Sequence, residues 1–374
     1  MATINQDRLI KLFLELVQTD SATREEGVIA ALCQAKLEKL GFTVQYDKAG
    51  EVIKGQVGNL IAIRKGNSGS KALLLSSHMD RVVPGKGIKP QITDGVIRSD
   101  GTTILAADDC QGLAAILEGI EAAQEAGIAL PTIEIVFCVA EEGGLMGSKN
   151  LDTSLLTATE GYILDADGPV GQITVKAPAQ TKFVYRIVGR AAHGGVEPEK
   201  GINALYVAAE AITGMKLGRI DEETTANIGL VAGGTATNAV MEVCELKGDA
   251  RSLVIPKMEA QVAHMTERLE AACAKWGARL EKEIAVSYGP VKLDWGAESV
   301  ERAASAIRRM GLNPEIVASG GGSDANNFNT KGIEAVCLAV NYKAIHSVKE
   351  HVAVADVVKS AELVVALIEE YASL

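Results

Sequence analysis

Five apolar segments of this 374-residue chain each run into a histidine or a carboxylate. Leu73-Leu74-Leu75-Ser76-Ser77 leads to His78-Met79-Asp80, and Ile104-Leu105-Ala106-Ala107 leads to Asp108-Asp109. Residues 133–140 lead to Glu141-Glu142, Tyr162-Ile163-Leu164 leads to Asp165, and residues 335–340 lead to a loop containing His346. Residues two apart on a strand project from the same face, so His78 and Asp80 converge where their strand ends. Imidazole binds metals, and a nearby carboxylate that accepts its second N–H sets the tautomer and raises its basicity. A surface turn accounts for His78 and Asp80 equally well. Asp109 alone fits a helix N-cap, but two adjacent aspartates among alanines repel each other unless a cation is present. Glu141 and Glu142 alone fit a solvated turn. At the end of a buried-type strand, however, one glutamate can bind metal while its neighbour acts as a general base. Five such endings together imply a metal cluster at the carboxyl edge of a sheet, where open α/β sheets place their sites.

The elements that must position these residues are legible as periodicity. Residues 9–17 read as a first helix. Thr23-Arg24-Glu25-Glu26 has capping-box spacing ahead of a second helix that stops near Gly41. Short apolar runs at 60–63, 72–75, 133–139 and 162–164 read as buried strands, with a helix over 111–126 between two of them. This alternation predicts an α/β sheet with helices on both faces. The pattern then becomes strand, helix, strand, strand, helix, strand between about 179 and 289, the order of a ferredoxin-like α+β domain. A helix over 299–310, a strand over 335–340 and a helix over 354–374 return the chain to the first domain. The expected division is 1–178 and 290–374 for a catalytic domain, with 179–289 inserted.

Composition narrows the function class. The net charge of -11, from 37 basic and 48 acidic residues, argues against nucleic acid, because phosphate contacts need clustered Lys and Arg. No apolar run has the length of a membrane span, and the first residues do not read as a signal peptide. Six scattered cysteines fit reduced thiols, so a cytoplasmic location is expected.

The ordered set His78-x-Asp80, Asp108, Glu141-Glu142, Asp165 and His346 resembles the co-catalytic M20 metallopeptidases. The stretches Asp100-Gly101-Thr102-Thr103 through Asp109, Gly189-Arg190-Ala191-Ala192-His193-Gly194-Gly195 and Gly320-Gly321-Gly322-Ser323-Asp324-Ala325-Asn326 look like its peptidase T branch. The resemblance implies a mixed-sheet zinc-peptidase domain and an inserted lid and dimerisation domain. It also implies a homodimer that cuts short peptides, removing N-terminal residues from tripeptides. His78, Asp108 and Asp165 would hold one divalent ion, and Asp108, Glu142 and His346 the other, with Zn2+ expected and Co2+ or Mn2+ as substitutes. Asp80 would orient His78, and Glu141 would be the general base. His193 would stabilise the oxyanion, while Asn238 and Arg251 would grip substrate. Other amide hydrolases of the family, such as carboxypeptidases, dipeptidases and N-acyl-amino-acid deacylases, share that core. A weakly active binding homologue is a third reading.

Two residues depart from the family pattern. Arg81 stands where Thr is common, and Cys110 stands where Lys is common. Arg81 is expected near the site, where it would alter which substrate end is accepted or lower activity; Cys110 fits a buried thiol. His264 and His351 read as ordinary surface or packing residues. The Gly320 loop lacks the Lys-Ser/Thr ending of a P-loop and reads as facing substrate.

Overall fold

A computed structural model describes residues 2–374. The chain divides into two compact units. The first comprises Met1–Lys176, Lys292–Ser319 and Ser323–Leu374; the second comprises Ala177–Val291 with Gly320–Gly322.

The first unit is built on a nine-stranded mixed sheet. Across its middle the order is Leu60–Arg64, Ile133–Cys138, Leu73–His78, Glu160–Ala166, Glu334–Ala339, Gln172–Ala177. The four strands at the centre of that list are mutually parallel, and their outer neighbours Leu60–Arg64 and Gln172–Ala177 pair antiparallel. Leu73–His78 and Ile133–Cys138 are buried at every position. Strands covered on both faces have no need of polar alternation, which is why they read as continuous apolar runs. Four parallel strands share one carboxyl edge. His78 closes the first, Glu141 and Glu142 follow the second, Asp165 lies near the end of the third, and the His346 loop follows the fourth.

Helix Ala107–Glu125 packs on the Leu73–His78 and Glu160–Ala166 strands and against helices Gln6–Gln18 and Val354–Ala372. Helix Asp324–Thr330 packs on Glu160–Ala166 and Glu334–Ala339, and helices cover both faces. A separate three-stranded sheet orders His351–Ala353, Val96–Arg98 and Gln91–Thr93. Its hairpin turns at Asp94-Gly95, both at positive φ (50° and 74°), the pairing that a two-residue hairpin turn favours. The expected capping box before the second helix does not form. Helix Gly27–Lys39 starts after Glu26 with no side-chain cap, because the Thr23 hydroxyl donates to Asp80 Oδ2 instead, at 2.7 Å.

The second unit has a five-stranded antiparallel sheet. Its order is Gly218–Arg219, Thr224–Gly233, Val243–Ser252, Ala179–Val188, Arg279–Tyr288. Helices Ala204–Thr213 and Ile255–Trp276 pack on it around a separate apolar core that includes Phe183, Tyr185, Leu246 and Leu269. Leaving aside the two-residue edge strand, the spatial order is the fourth, first, third and second strands, the ferredoxin-like arrangement. Gly320–Gly322 cluster with this unit rather than with their sequence neighbours; a Cβ on Gly322 would lie 2.4 Å from the Tyr288 ring.

Candidate metal centre and active site

The carboxyl edge of the first unit's sheet gathers every proposed metal ligand. His78 Nε2 lies 2.9 Å from Asp108 Oδ1 and 3.8 Å from Asp165 Oδ1. His346 Nε2 lies 3.3 Å from Asp108 Oδ2 and 3.0 Å from Glu142 Oε1. Asp108 thus faces one histidine with each carboxylate oxygen. Three triplets each bring their ligand atoms within 4.8 Å: His78 with Asp108 and Asp165, Asp108 with Glu142 and His346, and His78 with Glu141 and Glu142.

Asp80 holds two parts of this edge together. His78 Nδ1 is 3.0 Å from the Asp80 carbonyl oxygen and 3.4 Å from Oδ1. The same carboxylate accepts the main-chain N–H groups of Glu141 (2.8 Å) and Glu142 (3.2 Å) and the Thr23 hydroxyl. The residue that orients the histidine therefore also fixes the main chain of the glutamate pair. Asp109, joined to Asp108 by a cis peptide bond, is in none of the three triplets. It accepts from Ser77 Oγ at 2.5 Å and from the Gly112 N–H at 3.1 Å, so it works as a helix-start anchor.

The electrostatics are those of a cluster short of positive charge. Burial pushes the carboxyl groups of Asp165, Glu141 and Glu142 above the usual range, and neighbouring carboxylates push the same way. Burial works against ionisation of Asp108 too, but the hydrogen bonds from His346 and His78 outweigh it and hold its carboxyl below the usual range. Contacts with Asp108 and Glu142 raise His346 to about 10. For His78, burial disfavours the imidazolium, yet Asp108 and Asp80 outweigh it and raise the group well above its ordinary value. Imidazoles that retain protons only because carboxylates surround them are sites where a divalent cation can take the proton's place. The donor set, two imidazoles and carboxylate oxygens, suits zinc and its neighbours in the first transition row.

A profile of peptidase family M20/M25/M40 matches residues 74–370. The chain belongs to that family. Among similar proteins, the uncharacterised protein YqjE of Bacillus subtilis (strain 168) is 48% identical, the match covering 99% of this chain and all of YqjE. The crystal structure of aminopeptidase PepT from Bacillus cereus ATCC 10987 is 48% identical, with 99% of each chain covered and a TM-score of 0.90. A tripeptidase from Staphylococcus aureus subsp. aureus Mu50 is 40% identical, with 100% of each chain covered and a TM-score of 0.95.

In this M20/M25/M40 peptidase the remaining predicted residues lie in the second unit. His193 and Asn238 belong to two paired loops: the Gly194 N–H donates to the Asn238 carbonyl at 2.7 Å, and His193 bridges Ala239. Both side chains are exposed. Arg251 is partly buried, pairs with Asp249 at 3.3 Å and donates to the Gly320 carbonyl at 3.4 Å.

The structure corrects the expectation for Arg81. Its side chain is 2% exposed and turned into the protein. The guanidinium donates to the carbonyls of Leu16, Val17 and Thr19 and to Ser21 Oγ, at 2.8–3.1 Å. It therefore satisfies the C-terminal end of helix Gln6–Gln18, where carbonyls lack helical partners and a cation is favoured. It also lies 3.6 Å from Cys110 Sγ. The two departures from the family pattern thus touch, and a cation stands on one side of the contact instead of the other. Three further residues escape a reading based on strand endings. Tyr342 Oη donates to Asp165 Oδ1 at 2.7 Å, Thr23 serves Asp80, and Glu350 accepts three main-chain N–H groups around Asp108. Only the apolar run before Tyr342 hints at the first; nothing local marks the others.

Proposed function

We propose that this protein is a two-metal aminopeptidase acting on tripeptides and other short peptides. One observation carries the reading: Asp108 is shared by two ligand triplets, one with His78 and Asp165 and the other with Glu142 and His346. His78, Asp108 and Asp165 would hold one cation, and Asp108, Glu142 and His346 the second, with zinc favoured and cobalt or manganese as substitutes. Two divalent ions in such a site, when bound, supply Lewis-acid polarisation of the scissile carbonyl and acidify water.

The chain's own groups do the rest. Asp80 orients His78 and holds the Glu141 main chain, so the Glu141 carboxylate is presented at the cluster edge. Burial first, and then the charges of Asp165, Asp324 and Glu142, raise its proton affinity, which suits a group that must accept a proton from water and return it to the leaving amine. Arg251 would grip a substrate carboxylate, Asn238 would position the chain of the peptide, and His193 would donate to the developing oxyanion. The 179–289 segment would serve as lid and dimerisation domain, with His193 of each subunit acting on the other's site in a homodimer. A cytoplasmic location fits six buried free cysteines; among the described residues no helix is long and apolar enough to cross a membrane.

The test is a panel of dipeptides, tripeptides, C-terminally amidated tripeptides and N-acyl amino acids assayed with zinc- or cobalt-loaded protein. Fastest release of the N-terminal residue from tripeptides is expected, with activity lost on chelation. Turnover confined to N-acyl amino acids would replace the reading with a deacylase, and full activity in metal-free protein would remove it.

A further inference from the structure

The loop carrying His346 is tied into its unit by one buried polar side chain. Lys343 and His351 exchange two main-chain hydrogen bonds, of 2.9 and 3.1 Å, which close residues 344–350 into a short loop. Within that loop the His346 side chain is half exposed, Ile345 is partly buried against the core, and Glu350 is 1% exposed. The Glu350 carboxylate reaches across to the segment that ends in Asp108. It accepts the N–H groups of Leu105 at 2.8 Å, Ala106 at 2.9 Å and Asp108 at 3.1 Å.

That segment needs an external restraint. Ala106 is left-handed at φ 59°, and Asp108 (φ -78°, ψ 102°) is not helical although the helix nominally begins at Ala107. A left-handed non-glycine persists only where its surroundings impose it. A single side chain accepting three main-chain N–H groups is such a surrounding, since a relaxation of the segment would leave those buried groups unpaired. The grip has a consequence for ligand spacing. Asp108 and His346 sit on different segments, separated widely in sequence, and both must reach one ion. Glu350 belongs to the His346 loop and holds the Asp108 backbone, so it couples the two.

We propose that Glu350 is a positioning residue for the second cation site, setting the distance between Asp108 and His346. The first site depends on it less, because His78 and Asp165 are placed by neighbouring parallel strands. The proposal rests on the ligand assignment above, and one titration separates the two claims. Metal-free wild-type protein, Glu350→Gln and Glu350→Ala are titrated with Co2+, following heat and visible absorption. Lys349→Ala, an exposed neighbour, is the control. Wild type and the control should bind two equivalents. The Glu350 variants should bind the second equivalent about 10–100-fold more weakly and the first with a smaller loss, since Asp108 is common to both sites, while metal-free protein keeps a wild-type far-UV CD spectrum. Equal weakening of both equivalents, no weakening of either, or a metal-free Gln variant that is unfolded would overturn the proposal. Fewer than two equivalents in wild-type protein would overturn the ligand assignment beneath it.

Discussion

The two halves of the candidate metal centre are built by different means. His78 and Asp165 stand on neighbouring parallel strands of the central sheet, and the His78 side chain is 1% exposed. Glu142 and His346 stand on loops, and the His346 side chain is 50% exposed. Asp108 belongs to both halves. The strand-held half gets its geometry from sheet register, which every ladder hydrogen bond reinforces. The loop-held half needs dedicated carboxylates: Asp80 for the Glu141-Glu142 main chain and Glu350 for the Asp108 segment.

The largest expected effect falls on the one carboxylate that neither half uses. Glu141→Gln should leave metal content near wild type and lower tripeptide turnover by on the order of 10²–10⁴-fold, the usual worth of a general base. Glu142→Gln should lower metal content instead. Metal analysis beside steady-state rates would show whether the two roles are reversed.

Arg81 tests whether the rigid half depends on the helix behind it. Arg81→Thr strands several buried carbonyls at the end of helix Gln6–Gln18, and each unsatisfied acceptor costs about 1–3 kcal/mol. The midpoint of thermal unfolding should therefore fall strongly. Adding Cys110→Lys should return part of the loss, since the new ammonium would start beside the vacated position. A double-mutant cycle with no coupling would show that the contact of Arg81 with Cys110 is incidental.

Next in size is the contrast between the two histidines. His346→Ala should reduce bound metal from two ions to one and, its side chain being half exposed, lower the stability of the metal-free protein only by what its pairing with Asp108 and Glu142 contributes. His78→Ala should reduce metal content and also destabilise the fold, because it opens a buried site. Identical behaviour of the two variants would abolish the distinction between the halves.

The smallest effect concerns protons. In metal-free protein His346 is raised to about 10 by Asp108 and Glu142, against about 6.5 for an ordinary histidine. The proton it carries stabilises the metal-free fold fully below about pH 6.5, and that contribution is lost as pH rises through about 10. Filling the second site must expel this proton, so affinity there should rise with pH. Calorimetry in buffers of different ionisation enthalpy would count the released protons; a pH-independent second affinity would contradict the assignment of His346.

Much of this centre is legible in the sequence because central parallel strands leave plain signatures. An apolar run that stops at His78, at Glu141 or at Asp165 states both where the strand ends and what it presents. The alternation of elements between 179 and 289 was equally plain, down to the ferredoxin-like strand order. Residues that act at a distance were not legible. Arg81 reads as a charge beside the site, and only the position of a helix end some sixty residues earlier in the chain shows what it neutralises. Glu350 is one glutamate in a polar stretch, and its partners are main-chain groups that carry no sequence signal. Thr23 had the spacing of a capping residue, but its hydroxyl found a stronger acceptor in the Asp80 carboxylate. The Asp94-Gly95 hairpin lies outside the strand-ending pattern and forms no part of the sequence reading above.

The central claim is that one aspartate joins two cations in this edge of the sheet. Crystals grown with zinc and measured on both sides of its absorption edge test it most directly. The account predicts two anomalous peaks about 3.5–4 Å apart, both within bonding distance of Asp108, one beside His78 and Asp165 and the other beside Glu142 and His346. A single peak, or two peaks of which one does not touch Asp108, would contradict it.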